Sequence, residues 1–91
     1  MRLKNTKIVL AANEENFYQT LREYNLQEHE GVWHAPYNRL GDNIKFQKLN
    51  EKTDSENKIK IKIFHPSNMA FVKDEMSFDM FDLFLSSLYH K

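Results

Sequence analysis

The chain of 91 residues has the length of one small domain, so we expect residues 1–91 to fold as a single globular unit. Its 41% hydrophobic content, with seven Phe, four Tyr and one Trp, is sufficient for one core. The absence of cysteine excludes disulfides and thiolate metal sites, and the net charge of zero argues against a strong electrostatic nucleic-acid binder. No stretch approaches the roughly 20 apolar residues of a membrane span, which predicts a soluble, cytoplasmic protein with no membrane partner.

Residue usage points to a class of origin. Lysine outnumbers arginine ten to three, and asparagine occurs nine times. This bias is typical of AT-rich genomes, which favours a low-GC bacterium, one of its phages or a mobile element as the source.

The first predicted elements are a strand at 6–12 and a helix at 14–25. The β-branched, apolar run TKIVLAA indicates a strand that is central in a sheet or buried on both faces. Asn13 is a suitable N-cap, and two glutamates follow it in the first turn, where the helix dipole favours carboxylates. Asn25 can adopt the left-handed conformation that ends a helix, with Leu26 as the apolar contact of that cap.

Apolar and polar residues alternate in two runs, at 42–49 and 57–65. These runs are predicted to pair as an antiparallel hairpin across the polar segment NEKTDSEN. In the second run, isoleucines occupy one face of the strand and lysines occupy the other. A shorter strand is expected at 32–35. Residues 69–73 are expected to form either an edge strand or the lead into a helix.

The strongest helical signal is the segment SFDMFDLFLSSLYHK, with Ser77 as its N-cap. Apolar residues cover about half of this helix, which is wide for packing on a four-stranded sheet. Either part of the set Met80, Leu83 and Phe84 remains uncovered, or the first helix and the sheet cover all of it. The element order β-α-β-β-β-α predicts an α+β fold, with an antiparallel meander sheet and two helices packed on one face.

Catalytic and metal-binding residue types form no recognised pattern. The histidines lack the spacing of a zinc site and are interpreted as surface or capping residues: His29, His34, His65 and His90. The two glycines, Gly31 and Gly41, are too far apart for a phosphate-binding loop. An enzyme would need a histidine–carboxylate pocket assembled by the fold, so we expect no enzymatic activity, no metal and no cofactor.

Lysines on the predicted hairpin form one candidate site. Its members are Lys45, Lys58, Lys60 and Lys62, with the aromatic Phe64 beside them. A basic sheet face with an aromatic side chain can follow a phosphate backbone and stack bases. The alternative is that these lysines only solvate the outer side of an amphipathic strand and protect sheet edges.

The segment GVWHAPYNRLGDN, residues 31–43, forms a second candidate site. Trp33, Tyr37 and Arg39 belong to the residue types that most often anchor protein interfaces. Trp33 is expected to be mostly buried, which leaves Tyr37 and Arg39 to face solvent. Leu83 lies within the polar arc of the last helix, where an exposed leucine favours a partner or a homodimer.

Two functions fit these residues. The first is a small non-enzymatic protein-binding module or inhibitor, encoded by a phage or mobile element of a low-GC bacterium and acting on a host protein through Trp33, Tyr37, Arg39 and Leu83. The alternative is an accessory protein that binds nucleic acid through the lysine-bearing sheet face.

Overall fold

The alternating runs build a six-stranded sheet, and two helices pack against it. The computed structural model describes residues 3–40, 43–67, 69 and 72–89. The elements are β1 (Leu3–Ala11), α1 (Glu14–Glu23), β2 (Gln27–His29), β3 (Val32–His34), β4 (Lys45–Lys48), β5 (Ile59–Pro66), β6 (Glu75–Ser77) and α2 (Phe78–Tyr89). The predicted α+β class is confirmed, whereas the observed order contains two strands that the prediction lacks.

The sheet is mixed, with spatial order β2-β3-β4-β5-β1-β6. Strands β2 to β5 form an antiparallel meander that contains the predicted hairpin, and β1 adds antiparallel to β5. The last strand, β6, lies parallel to β1. The prediction of a purely antiparallel meander is therefore wrong at β6. β1 lies between two strands, as predicted, but only one of its faces is buried.

The two missed strands are short and carry little apolar periodicity. All three residues of β2 are exposed, and β2 reaches β3 through a two-residue turn formed by Glu30 (φ 52) and Gly31 (φ 81). Positive φ at both turn residues is the geometry that matches strand twist in tight hairpins. β6 has only Met76 buried. The expected edge strand or helical lead at 69–73 lies partly outside the described residues, and Gly41 lies outside them.

Side-chain caps define the helices where the sequence predicts them. The Asn13 side chain accepts a hydrogen bond from the Asn16 amide at 2.8 Å, and the Ser77 hydroxyl accepts one from the Met80 amide at 3.1 Å. Asn25 has φ 63, and the Leu26 amide donates to the Leu21 carbonyl at 3.0 Å. This is the predicted left-handed cap, which ends α1 at Glu23 rather than at residue 25.

Both helices pack on one face of the sheet, as predicted. The Phe46 ring on β4 meets Phe81 and Phe84 of α2 with ring centroids 5.6 and 5.7 Å apart, and Phe17 of α1 packs on Phe81 at 5.6 Å. The isoleucines of β5 lie on this same face and are buried: Ile59, Ile61 and Ile63. Part of the apolar surface of α2 is exposed, because Met80 and Leu83 remain uncovered, whereas Phe84 is 3% exposed.

Neither α1 nor α2 is long and apolar enough to cross a membrane, and no other helix occurs among the described residues.

Candidate functional site

The side of the sheet that faces away from the helices is not covered by either of them. We call it the open face. Strand alternation and register place half-buried or exposed residues of all six strands on it, among them Asn5, Lys7, Val9, His34, Lys45, Gln47, Lys60, Lys62 and Phe64, and also Gln27, His29, Val32 and Glu75. Four of these residues are lysines and one, Glu75, is acidic, so the strands of the open face carry an excess of positive charge on a chain with zero net charge.

Two lysines of the open face flank the ring of Phe64. Lys45 is its cross-strand partner on β4, with Nζ 5.9 Å from the ring centroid, and Lys62 Nζ lies 6.0 Å from the same centroid. Contacts of this kind stabilise exposed pairs by about 0.5–1 kcal/mol and orient the ammonium groups around the ring. Neither Lys45 nor Lys62 forms an ion pair within the described part of the chain. The result is one aromatic ring flanked by two cations without carboxylate partners.

The other two lysines of the open face share one carboxylate. Lys7 and Lys60 lie 3.2 and 3.6 Å from the two oxygens of Glu51, in the segment that connects β4 to β5. A hydrogen bond from Lys7, reinforced by the charges of Lys7 and Lys60, lowers the pKa of Glu51 below its ordinary value. Lys7 is also the cross-strand partner of Lys62, an arrangement of like charges that is unfavourable unless an anion intervenes. Glu51 supplies that anion for Lys7.

Lys58 departs from the predicted group. It precedes β5, and its Nζ lies 3.9 Å from the Asp54 carboxylate. A shallow depression of about 370 Å³ runs along the β4–β5 connection, and its lining includes Glu51, Asp54 and Lys58. A second depression, of about 250 Å³, is lined by Val9, Lys60 and Glu75 together with part of the same connection. Both depressions carry mixed charge, unlike the surroundings of Phe64.

The pKa of His34 depends on the charges at the β3 side of the open face. It lies opposite Lys45 in the β3–β4 register. Burial first, and then the charges of Lys45 and His29, lower the pKa of His34 below its ordinary value of 6.5. A cation-rich neighbourhood disfavours a further positive charge on the imidazole ring.

The histidines do not converge on a site in the described residues, where no group of three or more metal-ligating side chains occurs. His29 is exposed and His34 is half-buried, whereas His65 is only 2% exposed. The expectation that His65 is a surface or capping residue is therefore wrong. Its Nδ1 donates to the Pro66 carbonyl at 2.8 Å and its Nε2 lies 2.8 Å from the Thr6 hydroxyl, so a buried imidazole has both nitrogens satisfied. His90 lies outside the described residues.

A second candidate surface lies on the helix side. Arg39 joins the loop after β3 to the end of α2, because its amide donates to the Leu88 carbonyl at 2.7 Å and Nη1 lies 3.4 Å from the Ser87 carbonyl. Leu83 is one helical turn before Ser87 and therefore lies on the same side of α2. We use the name helix-side patch for the exposed residues of this loop and of that side of α2, which are Tyr37, Arg39, Leu40, Met80 and Leu83. The exposed fractions of its apolar members range from 47% for Leu40 and Met80 to 62% for Leu83 and 99% for Tyr37.

Trp33 does not join the helix-side patch. It is buried, as predicted; its ring stacks on Tyr18 at 5.7 Å, and the Arg22 guanidinium carbon lies 5.8 Å from the ring centroid. Tyr37 by contrast projects into solvent with φ 54, a left-handed conformation that costs a non-glycine residue about 1–2 kcal/mol. The Asn38 side chain braces this turn through the Ala35 carbonyl and the Leu40 amide.

Sequence reasoning missed Lys7 and Glu51. Lys7 belongs to the open face because Asn5, Lys7 and Val9 alternate with Thr6, Ile8 and Leu10 along β1. That alternation was visible in the sequence, but the apolar run that follows Lys7 masked it. Glu51 lies in an irregular connection, where no periodicity indicates what a side chain faces.

In comparisons with known proteins, the chain matches no family model, no curated protein and no solved structure.

Proposed function

We propose that this protein binds single-stranded nucleic acid on the open face. The observation that carries the proposal is the group of Lys45, Phe64 and Lys62, in which two lysines without carboxylate partners among the described residues flank an aromatic ring on the sheet face that the helices leave uncovered.

The lysines supply the affinity. Phosphate groups along a nucleic-acid strand attract ammonium groups and release condensed counterions when they bind, which makes binding sensitive to salt. Lys45 and Lys62 lie on adjacent strands, so both can contact one phosphate backbone that runs across the sheet. A bound polyanion also relieves the repulsion between the cross-strand partners Lys7 and Lys62.

The Phe64 ring favours single strands over duplexes. Aromatic side chains on a sheet stack unpaired bases, and every base has a π-face, so such binding tolerates many sequences. Bases inside a duplex are stacked on one another and do not offer that face. None of the residues that the structure describes on the open face is an arginine, which is consistent with weak readout of particular bases.

Charge is distributed in a way that can orient the binding. The helices have net negative charge, because they carry five acidic residues and one basic residue, Arg22; the acidic residues are Glu14, Glu15, Glu23, Asp79 and Asp82. Because the helices cover the opposite face, a polyanion approaches the open face more favourably than the helix side. A chain with zero net charge can therefore still bind nucleic acid locally.

The test is fluorescence anisotropy of labelled single-stranded DNA and RNA of about 12 nucleotides, a length within the usual site sizes. We expect binding that weakens as salt rises, and Lys62→Glu should reduce the log–log salt slope by about 0.7. Lys4→Glu is the matched control, because Lys4 is an exposed residue of β1 on the other side of the sheet. Absence of binding by the wild-type protein at low salt, or equal losses in both variants, would contradict the proposal.

A second function, a protein-binding module or inhibitor acting on a host protein, is favoured by the helix-side patch. Tyr and Arg are common interface anchors, and the left-handed backbone at Tyr37 holds a fully exposed ring away from the fold. A photo-crosslinking residue placed at Leu83 should form one adduct of defined mass in cells of the host. The same residue placed at Lys52, in the β4–β5 connection, should not form that adduct.

A further inference from the structure

The β4–β5 connection folds back over the open face and places a carboxylate among its lysines. One oxygen of Glu51 contacts Lys7 on β1 and the other contacts Lys60 on β5, and these two strands are paired with each other. This geometry resembles that of a phosphate group, which also offers two anionic oxygens to neighbouring cations.

We propose that Glu51 is an internal competitor for nucleic-acid phosphate, so that Lys7 and Lys60 join the binding surface only when Glu51 is displaced. The inference rests on the proposed function of the open face. It divides the four lysines into two classes. Lys45 and Lys62 are available to phosphate in the free protein, whereas Lys7 and Lys60, the reserve lysines, become available only after Glu51 leaves them.

The strength of the Glu51 contacts permits exchange. The Glu51 side chain is 41% exposed, and those of Lys7 and Lys60 are 61% and 35% exposed. Ion pairs at such exposure contribute little to stability, and salt screens them further. A phosphate backbone already held at Lys45 and Lys62 presents further phosphates at high local concentration, so it can replace Glu51.

The connection itself can move without disturbing the core. Glu51 and Lys52 are exposed, and the hydrogen bonds that shape the end of the segment run from the Thr53 hydroxyl to the Ser55 and Lys58 carbonyls. None of these contacts involves a buried apolar side chain. Release of Glu51 therefore requires only a local rearrangement on the outer side of the sheet.

The experiment compares Glu51→Gln with Glu56→Gln, using the same labelled single strand. Glu56 lies in the same connection, is exposed and forms no ion pair within the described residues, so both variants lose one negative charge from one loop. Freeing two lysines should steepen the salt slope of Glu51→Gln by about 1.4. Between about 50 and 200 mM salt, its affinity should then fall about sevenfold more than that of the wild-type protein. Glu56→Gln should keep the wild-type slope.

A second comparison isolates the reserve lysines. Lys60→Ala should weaken binding more in the Glu51→Gln background than in the wild-type background, because only in the former is Lys60 free at the outset. Equal slopes in Glu51→Gln and Glu56→Gln, with wild-type binding intact, would overturn the inference and leave the proposed function standing. Failure of both the wild-type protein and Glu51→Gln to bind would overturn both. Binding by Glu51→Gln alone would overturn the division into two classes of lysines, because Lys45 and Lys62 should bind the strand in the wild-type protein as well.

Discussion

Lys45 and Phe64 lie directly opposite each other on β4 and β5, with Lys45 Nζ 5.9 Å from the centroid of the Phe64 ring. In the free protein the ammonium group and the ring stabilise each other weakly. In a complex, Lys45 would bind a phosphate and Phe64 would stack on the base of the same nucleotide. The aromatic and cationic parts of the open face are therefore one unit, and their contributions to binding should not be additive.

Loss of the Phe64 ring should weaken binding of a single strand much more than it weakens the fold. We expect Phe64→Ala to reduce affinity by roughly five- to a hundredfold, the range for one stacked base, and Phe64→Trp to retain it. Anisotropy titrations at fixed salt measure the effect. An affinity that is unchanged in Phe64→Ala would place the bound strand elsewhere.

The imidazole of His34 should report a bound polyanion. Because Lys45 contributes to lowering the pKa of His34, a phosphate backbone that neutralises Lys45 should raise that pKa. NMR titration of the His34 ring protons, with and without the oligonucleotide, measures the change. A pKa that stays constant while the strand is bound would exclude contact near β3 and β4.

His34 should also affect stability as the pH falls. Its folded-state pKa is below 6.5, so the unfolded chain takes up the proton at higher pH than the folded chain does. The contribution of neutral His34 to the free energy of unfolding is therefore complete above pH 6.5 and is lost as the pH falls through the folded-state pKa. Urea denaturation between about pH 7.5 and pH 5 should show a smaller loss for His34→Gln than for the wild-type protein. If the free energy of unfolding changed equally with pH in both proteins, His34 would not be the source of the loss.

Substitution of Leu83 tests self-association through α2. Because the side chain is 62% exposed, Leu83→Asp should change the free energy of unfolding by no more than about 1 kcal/mol. If α2 pairs with a second copy, the variant should sediment as a monomer and the wild-type protein as a dimer, while Leu83→Met behaves as the wild type. A monomeric wild-type protein, or a dimer that persists in Leu83→Asp, would exclude a homodimer through this residue.

Tyr37 should be dispensable for folding. Glycine adopts φ 54 without steric cost, so Tyr37→Gly removes about 1–2 kcal/mol of strain and adds about 0.5–1 kcal/mol of backbone entropy to the unfolded chain. We expect stability in urea to be equal to that of the wild-type protein or higher by up to about 1.5 kcal/mol. A loss of more than about 1 kcal/mol would show that the ring supports the fold.

The sequence predicts the elements whose signals are local. Asn13 and Ser77 cap the helices, Asn25 ends α1, and the Ile–Lys alternation of β5 places its buried and outer faces correctly. These features depend on neighbouring residues in the chain, which the sequence displays directly.

The misses depend on backbone pairing or on contacts between distant segments, neither of which leaves a periodic pattern in the sequence. β2 is a strand because β3 pairs with it, although all of its side chains are exposed, and β6 is defined by its parallel pairing with β1. In the candidate site, Lys45, Lys60, Lys62 and Phe64 could be grouped from the hairpin alone. The role of Glu51 could not, because a carboxylate in an irregular connection has no periodic relation to Lys7, which lies 44 positions away.

The pairing of β1 has a consequence for the order in which this chain folds. β1 is the first strand in the sequence, yet its neighbours in the sheet are the last two strands, and Thr6 meets His65 across 59 positions. The turns of the β2–β5 meander close short loops, whereas β1 must close a long one, and long-range pairings of this kind slow folding. We expect the meander to form first and to offer β5 as an unpaired edge. Until β1 reaches that edge, Ile8 and Leu10 remain without their core contacts, so the docking of β1 should set the folding rate and the period of exposure to aggregation.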